Sequence, residues 1–392
     1  VMDQSPLTAI VAAQIRENGA LPFHDFMEQA LYHPQYGYYT TSTNPIGLQG
    51  DFFTSPEVGP VFGELLARQI HDFWQQAGQP PVFHVIECGP GRGSLAASLL
   101  MGIDAFPQLA QAVIYHLIEI SPRLRQVQQS TLASVSNFRA YESAQTAIGG
   151  TYGWSTLEEL PGRLTGCVLT NEFFDALPCH RLILHEGQLA ELYVTDQESP
   201  PGFAWQRGPL SRPDLADWYQ KHLVAQHVQL EEGQIAEIHP AMEDYLHAFD
   251  RILAQGFILT IDYGHPATLL YGASHYQGTL MCYHRHRADS DPLTSLGQKD
   301  ITAHIDFTAL QTLGHALGWQ NLGLTNQMWL LINLLEPADM AVKPDMNLDD
   351  FNRHQTLKKI IAPGGMGETF RVLIQSKGLA PAQLKGLTIM PR

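Results

Sequence analysis

A chain of 392 residues with 44% hydrophobic and only 16% charged residues has ample material for a core and little room for disorder, whether as two domains or one elaborated domain. A formal net charge of −16 repels phosphate backbones and argues against DNA or RNA as the main partner. No apolar run approaches the roughly 18 residues that a membrane span needs.

The four cysteines, Cys88, Cys167, Cys179 and Cys282, form no CxxC pair, so the expectation is neither a zinc site nor a disulfide frame but a reducing compartment, with Cys88 and Cys167, each in an apolar run, as buried free thiols. The start carries Asp3 and no basic residue before Arg16, unlike a signal peptide or an Arg-rich transit peptide, and a bacterial-type cytoplasm is expected.

In chain order, residues 7–18 and 23–31 have helical apolar spacing, broken at Gly19 and Pro22. Two loops follow, LYHPQYGYYTT and GDFFTSPEVGP; in the second, Ser55 and Pro56 suit the N-cap and first position of a helix, with Glu57 in its first turn. A helix is expected over 61–77, with Leu65, Leu66, Ile70 and Phe73 on one side. From residue 82 the rhythm changes. VFHVIEC, YHLIEIS (115–121), GCVLTNEFF (166–174) and GFILTIDYG (256–264) read as apolar strands, with helices at 94–101, after Ser121 and at 240–254. Such alternation predicts a parallel α/β sheet covered on both faces. ETFRVLIQSK (368–377) alternates as an edge or antiparallel strand would. Glu186-Gly187 inside RLILHEGQLAELYVT is a hairpin signal, and PGFAWQRGPL resembles a third strand. The predicted organisation is an N-terminal helical and loop region, 1–80, covering the active site, and a core, 81–392, with insertions at about 182–240 and 265–320.

The stretch ECGPGRG (87–93) closes the first strand. A glycine turn there lets a ligand approach the backbone. A dinucleotide calls for G-x-G-x-x-G, but the spacing is G-x-G-x-G and Pro90 removes a donor; a P-loop needs Lys followed by Ser or Thr, which are absent. S-adenosylmethionine has no phosphate and carries an ammonium and a sulfonium, which suit a carboxylate at Glu87. The plain alternative is a turn without a ligand. Glu119, at the tip of the neighbouring strand, can accept from both ribose hydroxyls; this supports an adenosine ligand, and the turn spacing with Glu87 selects the methyl donor. Ser121 joins Glu87, Gly89, Gly91, Gly93 and Glu119 in the expected donor set.

In VLTNEFFDALPCHR (168–181), Asn171 and Glu172 fall at a strand end, on the edge where open α/β sheets bind ligands. Methyl transfer asks for alignment and for a nucleophile with a free lone pair. A carboxylate can polarise a guanidinium through paired hydrogen bonds. Glu172 is the candidate, with Asp175 second; for Asp175 the competing role is a cap on the following turn. Trp154 is expected in a loop, where it either stacks on adenine or packs in the core. His284, His286, His304 and Asp306 lie near one another in sequence, but none shows helical HxxxH spacing, so they are taken as surface or hydrogen-bonded loop residues and no metal is expected.

With ALYHPQYGYY, GDFFTSPEVGPVFGELLA, IECGPGRGSL, NEFFDALPCHR, IDYGH, QKDITAHIDF and GGMGETFRVL, the chain resembles the MidA-like methyltransferases over almost its full length. Mitochondrial members of that family are arginine methyltransferases and assembly factors of respiratory complex I. The resemblance implies a class I, Rossmann-like core with a seven-stranded, mostly parallel sheet whose last strand is antiparallel. It implies S-adenosylmethionine as donor and a protein arginine as acceptor, giving symmetric ω-dimethylarginine in the mitochondrial members. By position it makes Glu87 and the three glycines the donor turn, Glu119 the ribose carboxylate, and Asn171 and Glu172 the border of the reacting centre. It also makes Thr54, Ser55, Pro56 and Glu57 a signature that closes over the donor. Where family members often carry Trp-His, this chain has Trp154-Ser155. The expected partner is an arginine-bearing protein, possibly a complex I subunit, with a homodimer left open. The alternatives are an assembly or binding factor that turns over little, and a small-molecule N-methyltransferase.

Overall fold

The computed structural model describes residues 5–41, 59–198, 201–284, 287–341, 346–380 and 383–389. The signature residues Thr54, Ser55, Pro56 and Glu57, and also His286, lie outside them. The chain divides into two compact units, one formed by the described residues of 1–52 with Phe174–Asp244 and Tyr263–Thr312, the other by those of 53–173 with Tyr245–Asp262 and 313–392.

The second unit is built on a mixed sheet. Its strand order is Arg139–Ala140, Thr151–Ser155, Val113–Ile118, Phe83–Cys88, Leu164–Asn171, Leu253–His265, Phe370–Lys377, Gln320–Asn326. The pairings from Arg139–Ala140 across to Leu253–His265 are all parallel. Phe370–Lys377 runs antiparallel to Gln320–Asn326 and, far from being an edge strand, stands inside the order. With the short Ile305–Asp306 strand the sheet counts nine strands rather than seven, because two-residue segments add pairings that no apolar run announces. Every residue of Phe83–Cys88 is buried, as a central parallel strand covered on both faces requires. The helix Val61–Gln76 turns Leu65, Leu66, Ile70 and Phe73 inward, and Phe73 stacks on Phe257 of the sheet at 4.2 Å. Burying each such ring contributes roughly 1.5–3 kcal/mol.

The first unit holds an antiparallel sheet. The hairpin His180–His185 and Gln188–Glu198 turns through Glu186 and Gly187, both at positive φ (52° and 72°), as a two-residue loop between right-twisted strands needs. Pro201–Gly208, Ile235–Ile238 and Leu21–Pro22 complete the sheet. Helices Pro6–Asn18 and Phe23–Tyr32 share one apolar core with Cys179, Val194, Leu280, Cys282, Leu296 and Ile301. The N-terminal helices cluster with the two inserted segments, whereas Val61–Gln76 belongs with the parallel sheet. All four cysteines are free and buried. Among the described residues, no helix is long and apolar enough to cross a membrane.

Candidate active site

Three strands of the parallel sheet, Phe83–Cys88, Val113–Ile118 and Leu164–Asn171, stop at one edge: the first carries Glu87 next to its end and leads into a glycine turn, and the other two are followed at once by Glu119 and Glu172. At the first, Glu87 is 2% exposed and accepts a hydrogen bond from the Tyr115 hydroxyl at 2.8 Å. Burial pushes its carboxyl up to about 7; the Tyr115 bond opposes that and nearby Glu119 adds to it. The turn that follows has Gly89, Gly91 and Gly93 at φ of 67°, 53° and 80°, a backbone that side chains rarely adopt. A Cβ on Gly89 would meet the Phe173 ring at 2.8 Å, so the glycine is also required by a close approach. Gly93 caps helix Ser94–Ile103 in the left-handed conformation and offers no side chain to its first N–H groups.

The second strand end carries Glu119, 7% exposed. Its Oε1 accepts from the Ser121 N–H at 2.8 Å and its Oε2 from Gln128 Nε2 at 3.1 Å. Arg125 donates to the Glu119 carbonyl through Nε and Nη2. Burial raises the Glu119 carboxyl above its ordinary range, against these donors. Ser121 caps helix Pro122–Leu132, its hydroxyl accepting from the Leu124 N–H at 3.3 Å. Beside Glu119, Ile120 is 75% exposed, an apolar side chain at the rim of a polar edge.

Gln128, fully buried on that helix, joins the two strand ends. Its Nε2 also donates to the Gly91 carbonyl at 2.7 Å, and its Oε1 accepts from Trp154 Nε1 at 2.7 Å. Trp154 is therefore not in a loop. It stands on strand Thr151–Ser155, where parallel pairing with Leu117 fixes its place.

At the third edge the strand ends at Asn171, three residues short of the expected 174, because Glu172 adopts a left-handed φ of 51°. A non-glycine residue there stores strain of about 1–2 kcal/mol. The Glu172 N–H is tied to the Ile261 carbonyl at 2.9 Å, and Asn171 Nδ2 donates to Glu172 Oε1 at 3.2 Å. Asn171 Oδ1 is buried with no hydrogen-bond partner among the described residues. Phe173 donates its N–H to Asp262 Oδ2 at 3.3 Å and sets its ring edge-on to Tyr245 at 4.9 Å.

A glycine turn, a buried carboxylate beyond the neighbouring strand and, on the next, an amide oxygen without a partner among the described residues thus stand at the ends of three parallel strands, the edge where open α/β sheets bind ligands. Residues 65–325 match the family model described as S-adenosyl-L-methionine-dependent methyltransferase. The chain belongs to this methyltransferase family. It is 30% identical to the mitochondrial protein arginine methyltransferase NDUFAF7 of Danio rerio, over 97% of this chain and 90% of that protein. With the corresponding homolog of Drosophila melanogaster it shares 31% identity over 78% of this chain and 69% of the relative. A crystal structure from Burkholderia thailandensis, bound to S-adenosyl-homocysteine, superposes with a TM-score of 0.82 at 29% identity, covering 98% of this chain and 95% of that one.

Of the residues expected at the methyltransferase site, Glu87, the three glycines, Glu119, Ser121, Trp154, Asn171 and Glu172 all lie in the sheet unit, while Asp175 falls in the other. Asp175 sits in a turn, and its carbonyl accepts from the Ala303 N–H at 3.1 Å. Sequence reasoning missed Gln128, Tyr115 and Asp262. Asp262 had a signal, a carboxylate inside the apolar run GFILTIDYG; it is fully buried. The histidines group differently from the expectation: His284 Nδ1 faces the Gln298 carbonyl, whereas His304 stands with His265 and His275. Burial, then those two neighbours, lower His304 to about 4.

Proposed function

We propose that this methyltransferase uses S-adenosylmethionine to methylate arginine side chains of a protein substrate. The observation that carries the reading is the Asn171–Glu172 pair: a carboxylate held in a left-handed, strained backbone beside a buried amide oxygen that has no donor among the described residues. Strain is retained where a side chain must be aimed, and relatives that are protein arginine methyltransferases suggest the acceptor chemistry.

The residues fit the donor. Glu119 would take the ribose hydroxyls, Trp154 and Ile120 would offer apolar surface to the adenine, and Glu87 and Asn171 Oδ1 would hold the ammonium-bearing end, with no side chain on Gly89, Gly91 or Gly93 to obstruct it. When bound, S-adenosylmethionine supplies an electrophilic methyl group on a sulfonium. Glu172 then accepts paired hydrogen bonds from a guanidinium and draws its positive charge toward the carboxylate, which leaves a lone pair on the far nitrogen. Asn171 holds the Glu172 carboxylate in place through Nδ2. Phe173, fixed by Asp262 and Tyr245, limits water beside the glycine turn. In this reading seven strands are the class I core and Arg139–Ala140 is an addition at its edge. Complex I subunits are the acceptors that the family resemblance suggests.

The test uses methyl-tritiated donor and extract from cells that lack the gene. Wild-type protein should label protein arginines, read by amino-acid analysis, and Glu172→Gln should bind S-adenosylhomocysteine normally yet transfer at least ~100-fold more slowly. Donor binding without label in any protein would overturn the reading in favour of a binding factor; label confined to small molecules would replace the acceptor class.

A further inference from the structure

Within the first unit, three histidines from separate segments converge. His265 ends the strand Leu253–His265 and pairs in register with Asp306. His304 lies two residues before Asp306, and its N–H donates to Thr279 Oγ1 at 3.0 Å. His275 closes the short turn Ala273–His275. Each of the three offers a ring nitrogen within 4.8 Å of the others, and all three are half-buried. We propose that His265, His275 and His304 together hold one divalent transition-metal ion, zinc(II) by its chemistry, with solvent completing the coordination. This goes beyond the methyl-transfer reading and does not depend on it.

The ring spacing is slightly wider than that of a metal-centred triad. Centroids are separated by 5.4 Å (His265–His275), 5.5 Å (His265–His304) and 6.1 Å (His275–His304). Three imidazoles on one zinc, with Zn–N of about 2.0–2.1 Å and tetrahedral angles, place their centroids roughly 5 Å apart. Small rotamer movements close the difference.

Hydrogen bonding sets the tautomer at one ligand. His275 Nδ1 lies 3.1 Å from the Leu269 carbonyl, which can only accept, so Nδ1 carries the proton and Nε2 keeps its lone pair. A carbonyl behind a ligating imidazole is the usual second partner of a metal-bound histidine. His304 Nδ1 is buried with no hydrogen-bond partner among the described residues, a vacancy that a metal or its bound water would fill. An all-imidazole set suits zinc, copper, nickel or cobalt and disfavours magnesium and calcium, which demand oxygen.

The other ligand-bearing group among the described residues is His24, Asp25 and Glu28. Its two carboxylates are exposed, and His24 Nδ1 is already 2.8 Å from Asp25 Oδ1.

The experiment strips the full chain with chelator, then titrates it with zinc chloride by calorimetry and with cobalt chloride by visible absorption. One ion per chain is expected, with cobalt bands of a four- or five-coordinate site and a rise in melting temperature. His275→Ala, which alters a surface turn, should stay folded and bind at least ~10-fold more weakly; His304→Ala should do the same. The Asp25→Asn/Glu28→Gln double variant should bind as the wild type does. Three results overturn the proposal: no stoichiometric ion on folded wild-type protein, unchanged affinity in His275→Ala, or loss of the ion only in the Asp25/Glu28 variant.

Discussion

The Trp154 indole donates to Gln128 Oε1 at 2.7 Å, while the amide nitrogen of the same glutamine bonds the Gly91 carbonyl and the Glu119 carboxylate. One buried side chain thus ties the glycine turn to two neighbouring strands. Gln128→Ala strands an indole N–H and part of a buried carboxylate, at about 1–3 kcal/mol. The melting temperature should fall, and affinity for S-adenosylhomocysteine should drop by about tenfold or more, both readable by calorimetry. Gln128→Glu should be worse, because a second carboxylate would face Glu119. Wild-type values in both variants would mean that the glutamine only fills space.

Glu119→Ala should weaken donor binding by roughly 1–3 kcal/mol, the range for a lost charge-assisted partner. Titration with S-adenosylhomocysteine measures it. A change well below that range would put the ribose elsewhere.

If Glu87 holds the donor as proposed, it should couple donor binding to pH. Its carboxyl, ordinarily at 4.5, is pushed by burial to about 7, so between those values the folded protein holds a proton that the unfolded chain has released. Its contribution to stability is therefore fully present below 4.5 and lost as pH rises through about 7. A cationic donor favours the ionised form, so binding below about 7 should expel a proton, and affinity should climb with pH and then level off. Calorimetry in buffers of different ionisation enthalpy counts that proton. Glu87→Gln should flatten the profile; a slope that survives the substitution assigns it to another group.

Glu172 separates stability from turnover. Glu172→Gly relieves the left-handed backbone and should stabilise the fold by about 1 kcal/mol, whereas Glu172→Gln should leave stability unchanged. Both should abolish methyl transfer. Thermal melts paired with a radiolabel assay give the two readouts, and a glycine variant that melts below wild type would show that the Glu172 side chain holds the turn in place.

Legibility in the sequence followed the range of the interaction. The glycine turn is local: glycine at positions 89, 91 and 93 permits positive φ, and all three have it. Central strands such as Phe83–Cys88 announce themselves by uninterrupted apolar residues. Trp154 was misread because TYGWS is five residues long with a glycine inside, and only its pairing with Val113–Ile118 makes it a strand. Gln128 was invisible for a stronger reason. Its contacts at 91, 119 and 154 come from helix rotation and sheet order, neither of which leaves a mark on a polar residue in a polar helix. The grouping of the N-terminal helices with two distant insertions is likewise a property of a shared core.

Phe370–Lys377 is made after every other strand of its sheet, yet it is seated between Leu253–His265 and Gln320–Asn326. A nascent chain halted before residue 370 carries a sheet with a slot in its interior, lined on both sides by bare peptide groups. Such a chain invites a stray strand to fill the slot. Premature stop codons late in the gene should therefore yield sticky, chaperone-bound polypeptides rather than merely shortened enzymes.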